Sequence, residues 1–162
     1  MNILAIDPGY DRCGIAVLTK GALNKHVLLH SSCITTSKSD IFEKRLHFIH
    51  GVCEDIIRKY KPQSVALERL YFTNNQRTAM RVAEVRGMLL QLATSHNLPV
   101  LEYTPQQVKV AVAGSGRATK SDVQRMIPLL IALASNDRLD DEYDAIAIGL
   151  THLASQRAHH TL

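Results

Sequence analysis

Four acidic residues stand where a solvated surface explains them poorly. Asp7 closes a short apolar run, Asn2–Ile6, and Glu68 closes another, Ser64–Leu67. Asp141 and Asp144 are three apart at the start of an otherwise apolar stretch, Ala145–Leu150. Residues at i and i+3 sit about 60° apart around a helix, so both can aim at one point. Each acid has an ordinary explanation alone. Asp7 before Pro8-Gly9 could form a turn, Glu68 could mark where a sheet meets water, and the aspartates could answer a helix dipole. The conjunction argues otherwise. Gathering four carboxylates without counter-charge raises their pKa values, and a hard divalent cation removes that cost. Magnesium prefers oxygen ligands and keeps several waters, which suits a few carboxylates shared with a phosphate substrate. Two such ions about 4 Å apart could activate a water and stabilise the leaving oxygen of a phosphodiester. The expected chemistry is cleavage of a nucleic-acid backbone.

Softer metals find less support. His47 and His50 share a helix face but have no plausible third ligand, so a zinc site is not expected there. Directly after Glu68, the stretch Tyr71–Arg77 mixes two aromatics, amides and a cation. Tyr71 and Phe72 could stack on unpaired bases, or one of them could pack beneath the loop; Arg77 is the cation of this stretch. The segment Gly114–Ser121 resembles a phosphate-binding P-loop but fails the pattern, which needs glycine where Thr119 stands and a strand before it. A basic loop presenting Arg117 and Lys120 at a helix N-terminus, aimed at a DNA phosphate, explains it better. Lys120 could also stabilise charge developing on that phosphate.

The elements that must position these residues follow from periodicity. Asn2–Ile6, Cys13–Leu18 and Lys25–Ile34 read as three antiparallel strands joined by turns at Asp7-Pro8-Gly9 and Lys20-Gly21. From Asp40 the period changes: Phe42, Leu46, Ile49, Cys53, Ile56 and Tyr60 form a helical stripe, which places Cys53 in the core and ends at Lys61-Pro62. Ser64–Leu67 is a buried strand, a long helix covers Thr78 to His96, and Pro99–Tyr103 is a fifth strand. Helices then run from Thr104-Pro105 through Val112, from a Thr119 cap paired with Asp122 to about Ala134, and from about Asp141 to Ser155. Met88, Leu89 and Leu90 make one helical turn apolar nearly all round, for the core or for a second subunit. The pattern predicts an α/β mixed five-stranded sheet flanked by helices.

Bulk properties are compatible. The 162 residues favour one domain, taken as 1–157 with a short tail at 158–162. A formal charge of +4 is mildly basic and compatible with a phosphate-bearing partner. Three cysteines without CxxC spacing argue against a disulfide framework and for a reducing cytoplasm. Met1 leads almost directly into a strand, leaving no room for a signal peptide, and no apolar run reaches bilayer length, so no membrane partner is expected.

At this point the residues resemble the RuvC Holliday-junction resolvases. The resemblance is carried by Asp7-Pro8-Gly9 with Gly14, Glu68, Arg86-Gly87, Gln107-Val108-Lys109, Gly114-Ser115-Gly116, Lys120-Ser121, Asp141 to Ile148, and Thr151-His152, in register over nearly the whole chain. It implies a ribonuclease-H-like fold, a homodimer, and paired magnesium-dependent nicks placed symmetrically across a four-way DNA junction. Two Mg2+ ions per site are implied, with Mn2+ able to substitute, and RuvA and RuvB as branch-migration partners. Asp7, Glu68, Asp141 and Asp144 match the family's acidic tetrad, and Lys109 and Lys120 its basic residues near the scissile strand. Tyr71 falls where the family carries a base-contacting aromatic, usually Phe, and Phe72 is the alternative. Asp140 competes with Asp141, since Asp140 and Asp144 also share a face; the family's D-x-x-D spacing favours Asp141. The rival readings are a sugar kinase or actin-like ATPase, which needs two such domains, a silent DNA-binding module, and another ribonuclease-H-like nuclease such as an RNA–DNA hybrid hydrolase.

Overall fold

The computed structural model describes residues 1–21, 26–69, 76–133 and 138–158. Five strands form one sheet: β1 (Asn2–Asp7), β2 (Arg12–Lys20), β3 (His26–Thr35), β4 (Ser64–Glu68) and β5 (Val100–Tyr103), in the order β3-β2-β1-β4-β5. β2 pairs antiparallel with both β1 and β3, while β4 pairs parallel with both β1 and β5. The helices are α1 (Phe42–Tyr60), α2 (Gln76–Ser95), α3 (Pro105–Ala113), α4 (Lys120–Leu130) and α5 (Asp140–Ala158). This is the mixed sheet flanked by helices that the sequence pattern predicts.

Strand alternation sorts the core into two layers, because successive side chains point to opposite faces. Leu4, Ile6, Ile15, Val17, Val65 and Leu67 pack with α1 and α2 on one side. Ile3, Ala5, Ala16, Leu18 and Ala66 pack with α3, α4 and α5 on the other. Alanine is concentrated on the α5 side for a steric reason. A Cβ at Gly149 of α5 would lie 2.3 Å from Leu18 Cδ1 and 3.2 Å from Ala5 Cβ, so the helix rides directly on the sheet.

One network of buried polar groups pins α5 across β4 and β5. His152 is 0% exposed. Its Nε2 lies 2.8 Å from Ser64 Oγ and 3.0 Å from Gln156 Nε2, and its Nδ1 lies 2.8 Å from the Tyr103 hydroxyl. Placing the ring proton on Nδ1 completes the chain: Nδ1 donates to Tyr103, Tyr103 to Ser155, and Ser155 to the His152 carbonyl. Burial lowers the His152 pKa, keeping the ring neutral.

Helix ends follow local chemistry. Thr104 with Gln107 and Thr119 with Asp122 form reciprocal capping boxes at α3 and α4. The expected end of α4 near Ala134 is corrected to Leu130. Pro128 removes one backbone donor from the last turns, and Ile131 turns extended to bridge His26 at the start of β3. α5 begins at Asp140. Cys13, Cys33 and Cys53 are free, with Cys13 and Cys53 in the core. Among the described residues, no helix is long and apolar enough to cross a membrane.

Candidate active site

Alternation and register bring the two strand-end acids together. Asp7 shares the parity of Ile3 and Ala5, and Glu68 that of Ala66, so both side chains lie on the α5 face. Parallel pairing of Ala5 with Ala66 and Ile6 with Leu67 makes Asp7 and Glu68 neighbours at adjacent strand ends. The start of α5 arrives at the same place because Gly14, paired with Asp7, has no side chain. A Cβ there would sit 1.8 Å from the Asp141 carbonyl oxygen.

The electrostatics record this crowding. Burial, then the charges of Glu68, Asp144 and Asp141, raise the Asp7 pKa to about 7, with Lys120 opposing. Glu68 is raised by burial and by Asp144, and Asp144 by burial against the pull of Lys120. The Asp140 carboxylate is 63% exposed, accepts from Gln124 at 3.1 Å and lies 3.6 Å from Lys120. The side chain of Asp141 is 19% exposed.

Two cations stand among the acids. Lys120 Nζ donates to Asp144 Oδ2 at 2.8 Å. Burial works to lower the Lys120 pKa, but Asp144, Asp140 and Asp141 together raise it, so the ammonium stays charged. Arg12 Nε lies 3.0 Å from Asp141 Oδ2. That contact lacks hydrogen-bond alignment, and the buried Oδ2 has no hydrogen-bond donor. With Asp141 and Asp144 turned to these cations, no group of three acidic, His or Cys side chains among the described residues could hold a metal ion as it stands. The donor set nevertheless fits a hard cation: all ligands offered are carboxylate oxygens, one is an orphaned buried acceptor, and their mutual repulsion is what a divalent charge would relieve.

Of the other residues expected here, Lys109 lines a cleft of about 190 Å³ with Glu68, Lys120 and Asp144. Arg117 lies apart, in a separate cleft with Ser115, Asp122 and Arg125. Arg77 is exposed on the first turn of α2 and lines neither cleft. Tyr71 and Phe72 lie outside the described residues. Sequence reasoning missed Arg12 and Arg45. Arg45 had a signal: it falls at helical spacing between Phe42 and Ile49, so a cation was bound for the buried face.

Sheet order, a helix laid across the sheet and acids at the adjoining strand ends define a protein of the ribonuclease-H-like class. A family profile described as crossover junction endodeoxyribonuclease RuvC matches residues 3–152. RuvC of Petrotoga mobilis is 44% identical over 152 residues, covering 94% of this chain and 93% of that protein. The structure is similar to that of Thermus thermophilus RuvC in complex with Holliday junction substrate, with a TM-score of 0.91 and 34% identity over 98% of this chain and 96% of that one. The yeast mitochondrial Holliday junction resolvase shares the fold, with a TM-score of 0.68 at 17% identity over 98% of this chain and 82% of that one. The chain belongs to the RuvC family of crossover junction endodeoxyribonucleases.

Proposed function

We propose that this protein resolves four-way DNA junctions as a homodimer, each subunit hydrolysing one phosphodiester, with Asp7, Glu68, Asp141 and Asp144 holding magnesium. The observation that carries the chemistry is Asp7: burial and three neighbouring acids push this half-buried carboxylate to a pKa of about 7, a perturbation that marks functional sites. Family membership supports the junction as substrate.

Each residue has a physical task in this reading. Asp7 and Glu68 are fixed by the sheet, so they form the rigid half of the ligand set. Asp141 and Asp144 ride on α5 and must release Arg12 and Lys120 to complete it. Lys120, freed from Asp144, remains beside the acids as a permanent cation that can face charge developing on the scissile phosphate. Lys109, in the same cleft, holds the strand by a neighbouring phosphate. When bound, two magnesium ions, or manganese in their place, would supply a nucleophilic water and neutralise the leaving oxygen. Tyr71 or Phe72, with Arg77 and Arg117, would contact DNA beyond the cut. A cytoplasmic setting alongside RuvA and RuvB completes the proposal.

The test offers the purified protein a synthetic four-way junction, a linear duplex and an RNA–DNA hybrid, with and without magnesium, and maps the cuts. Symmetric nicks confined to the junction and dependent on magnesium are expected. Asp7→Asn should abolish them while leaving junction binding largely intact, because the cations remain. Hybrid-only cutting, or normal nicking by Asp7→Asn, would overturn the reading.

A further inference from the structure

The acids are reached from two sides, and the chemistry above uses only the side of Lys109 and Lys120. On the other side a groove of about 550 Å³ runs from Asp141 past Arg12 and the Gly9–Asp11 turn to Thr35 and Lys38. Its wall is preformed. Arg45, 8% exposed, donates from Nε to Thr36 Oγ1 at 2.8 Å and from Nη2 to the Tyr10 carbonyl at 2.9 Å, and pairs with Asp11 through Nη2. The Thr36 hydroxyl donates to the Tyr10 carbonyl at 2.5 Å, and the Thr36 amide to the Asp11 carbonyl at 3.0 Å. A buried guanidinium thus ties the turn after β1 to the end of β3, and it neutralises Asp11, the groove's acid other than Asp141.

What remains along the groove is one anion at its mouth, Asp141, and two exposed cations, Arg12 and Lys38. The Arg12–Asp141 contact is weak by construction. The Arg12 side chain is 51% exposed and makes no aligned hydrogen bond to its partner. A phosphate diester can accept two parallel hydrogen bonds from a guanidinium, whereas Asp141 Oδ2 accepts none here. We propose that this groove seats the DNA backbone flanking the scissile phosphate, Arg12 leaving Asp141 for one backbone phosphate and Lys38 holding another. The same exchange frees Asp141 for the ligand set, so arrival of the strand and completion of the acidic site are one event. The inference rests on the proposed cutting of junction DNA.

The experiment uses Arg12→Ala, Lys38→Ala and the double variant of the full chain. Junction affinity is measured in EDTA across a salt series, on junctions carrying single neutral methylphosphonate linkages near the mapped cut. Each single variant should make the plot of log affinity against log salt shallower by about 1, the signature of one lost phosphate contact, and the double variant by about 2. One neutral linkage close to the cut should weaken the wild type yet leave Arg12→Ala no weaker than before. Lys38 lies in an exposed segment, so Lys38→Ala tests the groove without touching the core. Wild-type salt slopes in the variants, or no junction binding at all without metal, would overturn the proposal. So would an Arg12→Ala effect confined to the magnesium concentration needed for nicking, which would leave Arg12 a mere counter-ion of Asp141. Failure of the cutting reading would appear separately, as wild-type protein that does not nick the junction.

Discussion

Asp7 is costly to the folded protein, and its cost can be measured. An unfolded aspartate ionises near its ordinary value of 3.8, whereas burial and the neighbouring acids hold Asp7 protonated in the native state up to about 7. Between those values the native state binds more protons than the unfolded one, so the stability contributed by Asp7 falls as pH rises from about 4 to about 7 and is flat above. Asn carries no such dependence. The melting temperature of Asp7→Asn should therefore exceed that of the wild type, in EDTA, by a margin that widens from about pH 4.5 to about pH 7.5. The buried His152 pulls the other way, losing stability as pH falls below its unfolded pKa of 6.5, but it does so in both proteins and cancels in the difference. A margin that does not move with pH would mean that Asp7 ionises as it does in water. Magnesium should close the margin at the alkaline end by stabilising the wild type alone.

At the scale of elements, the site depends on how closely α5 lies on the sheet. Ala5, Ala16 and Gly149 let the body of the helix down, and Gly14 lets its first turn reach Asp7. Gly14→Ala would press a methyl group into the Asp141 carbonyl, which is backbone and cannot swing aside. Overpacking of this kind costs about 1–3 kcal/mol. At roughly 2–4 °C per kcal/mol for a domain of this size, the melting temperature should fall by about 2–12 °C. Nicking should fall further than stability does, because the carbonyl that moves belongs to Asp141 itself. A variant melting within a degree of the wild type and cutting normally would show that Gly14 does not set the position of Asp141.

At the scale of the molecule, one chain presents one acidic cluster, while resolution of a junction needs two strands cut. The proposed homodimer would supply the second cluster, and its subunits can be made unequal. In an equimolar mixture of wild type and Asp7→Asn, refolded together, about half the dimers should carry one working site and about a quarter two. Nicks per bound junction should then shift from paired to single, and the doubly cut product should drop to about a quarter of that of the same amount of wild-type dimer. Double cutting that falls only in proportion to the wild-type protein present would indicate subunits acting singly and in succession. Cations border the acids on both sides, Lys109 and Lys120 in one cleft and Arg12 and Lys38 in the other groove, which is how a mildly basic chain can bring a polyanion to a negative centre.

Much of this was legible in the chain as written. Apolar runs ending in Asp7 and Glu68, the helical stripe through Cys53 and the Thr119 cap are local patterns, each set by residues within a few positions of one another, and the five strands and five helices follow from them with small shifts at their ends. Even the common facing of Asp7 and Glu68 was implicit in strand parity, since each lies two residues beyond a small alanine, Ala5 and Ala66. The structure decided what spans the chain. Register between β1 and β4 made the two acids neighbours; the descent of α5 onto Gly14 brought in Asp141, with Asp140 left exposed; and the meeting of Arg12 with Asp141 depended on both at once. No local period encodes such contacts, because they arise only when elements far apart in sequence are packed together. The four acids that first pointed to backbone cleavage were set by the sequence, and the two cations that now hold two of them were set by the fold.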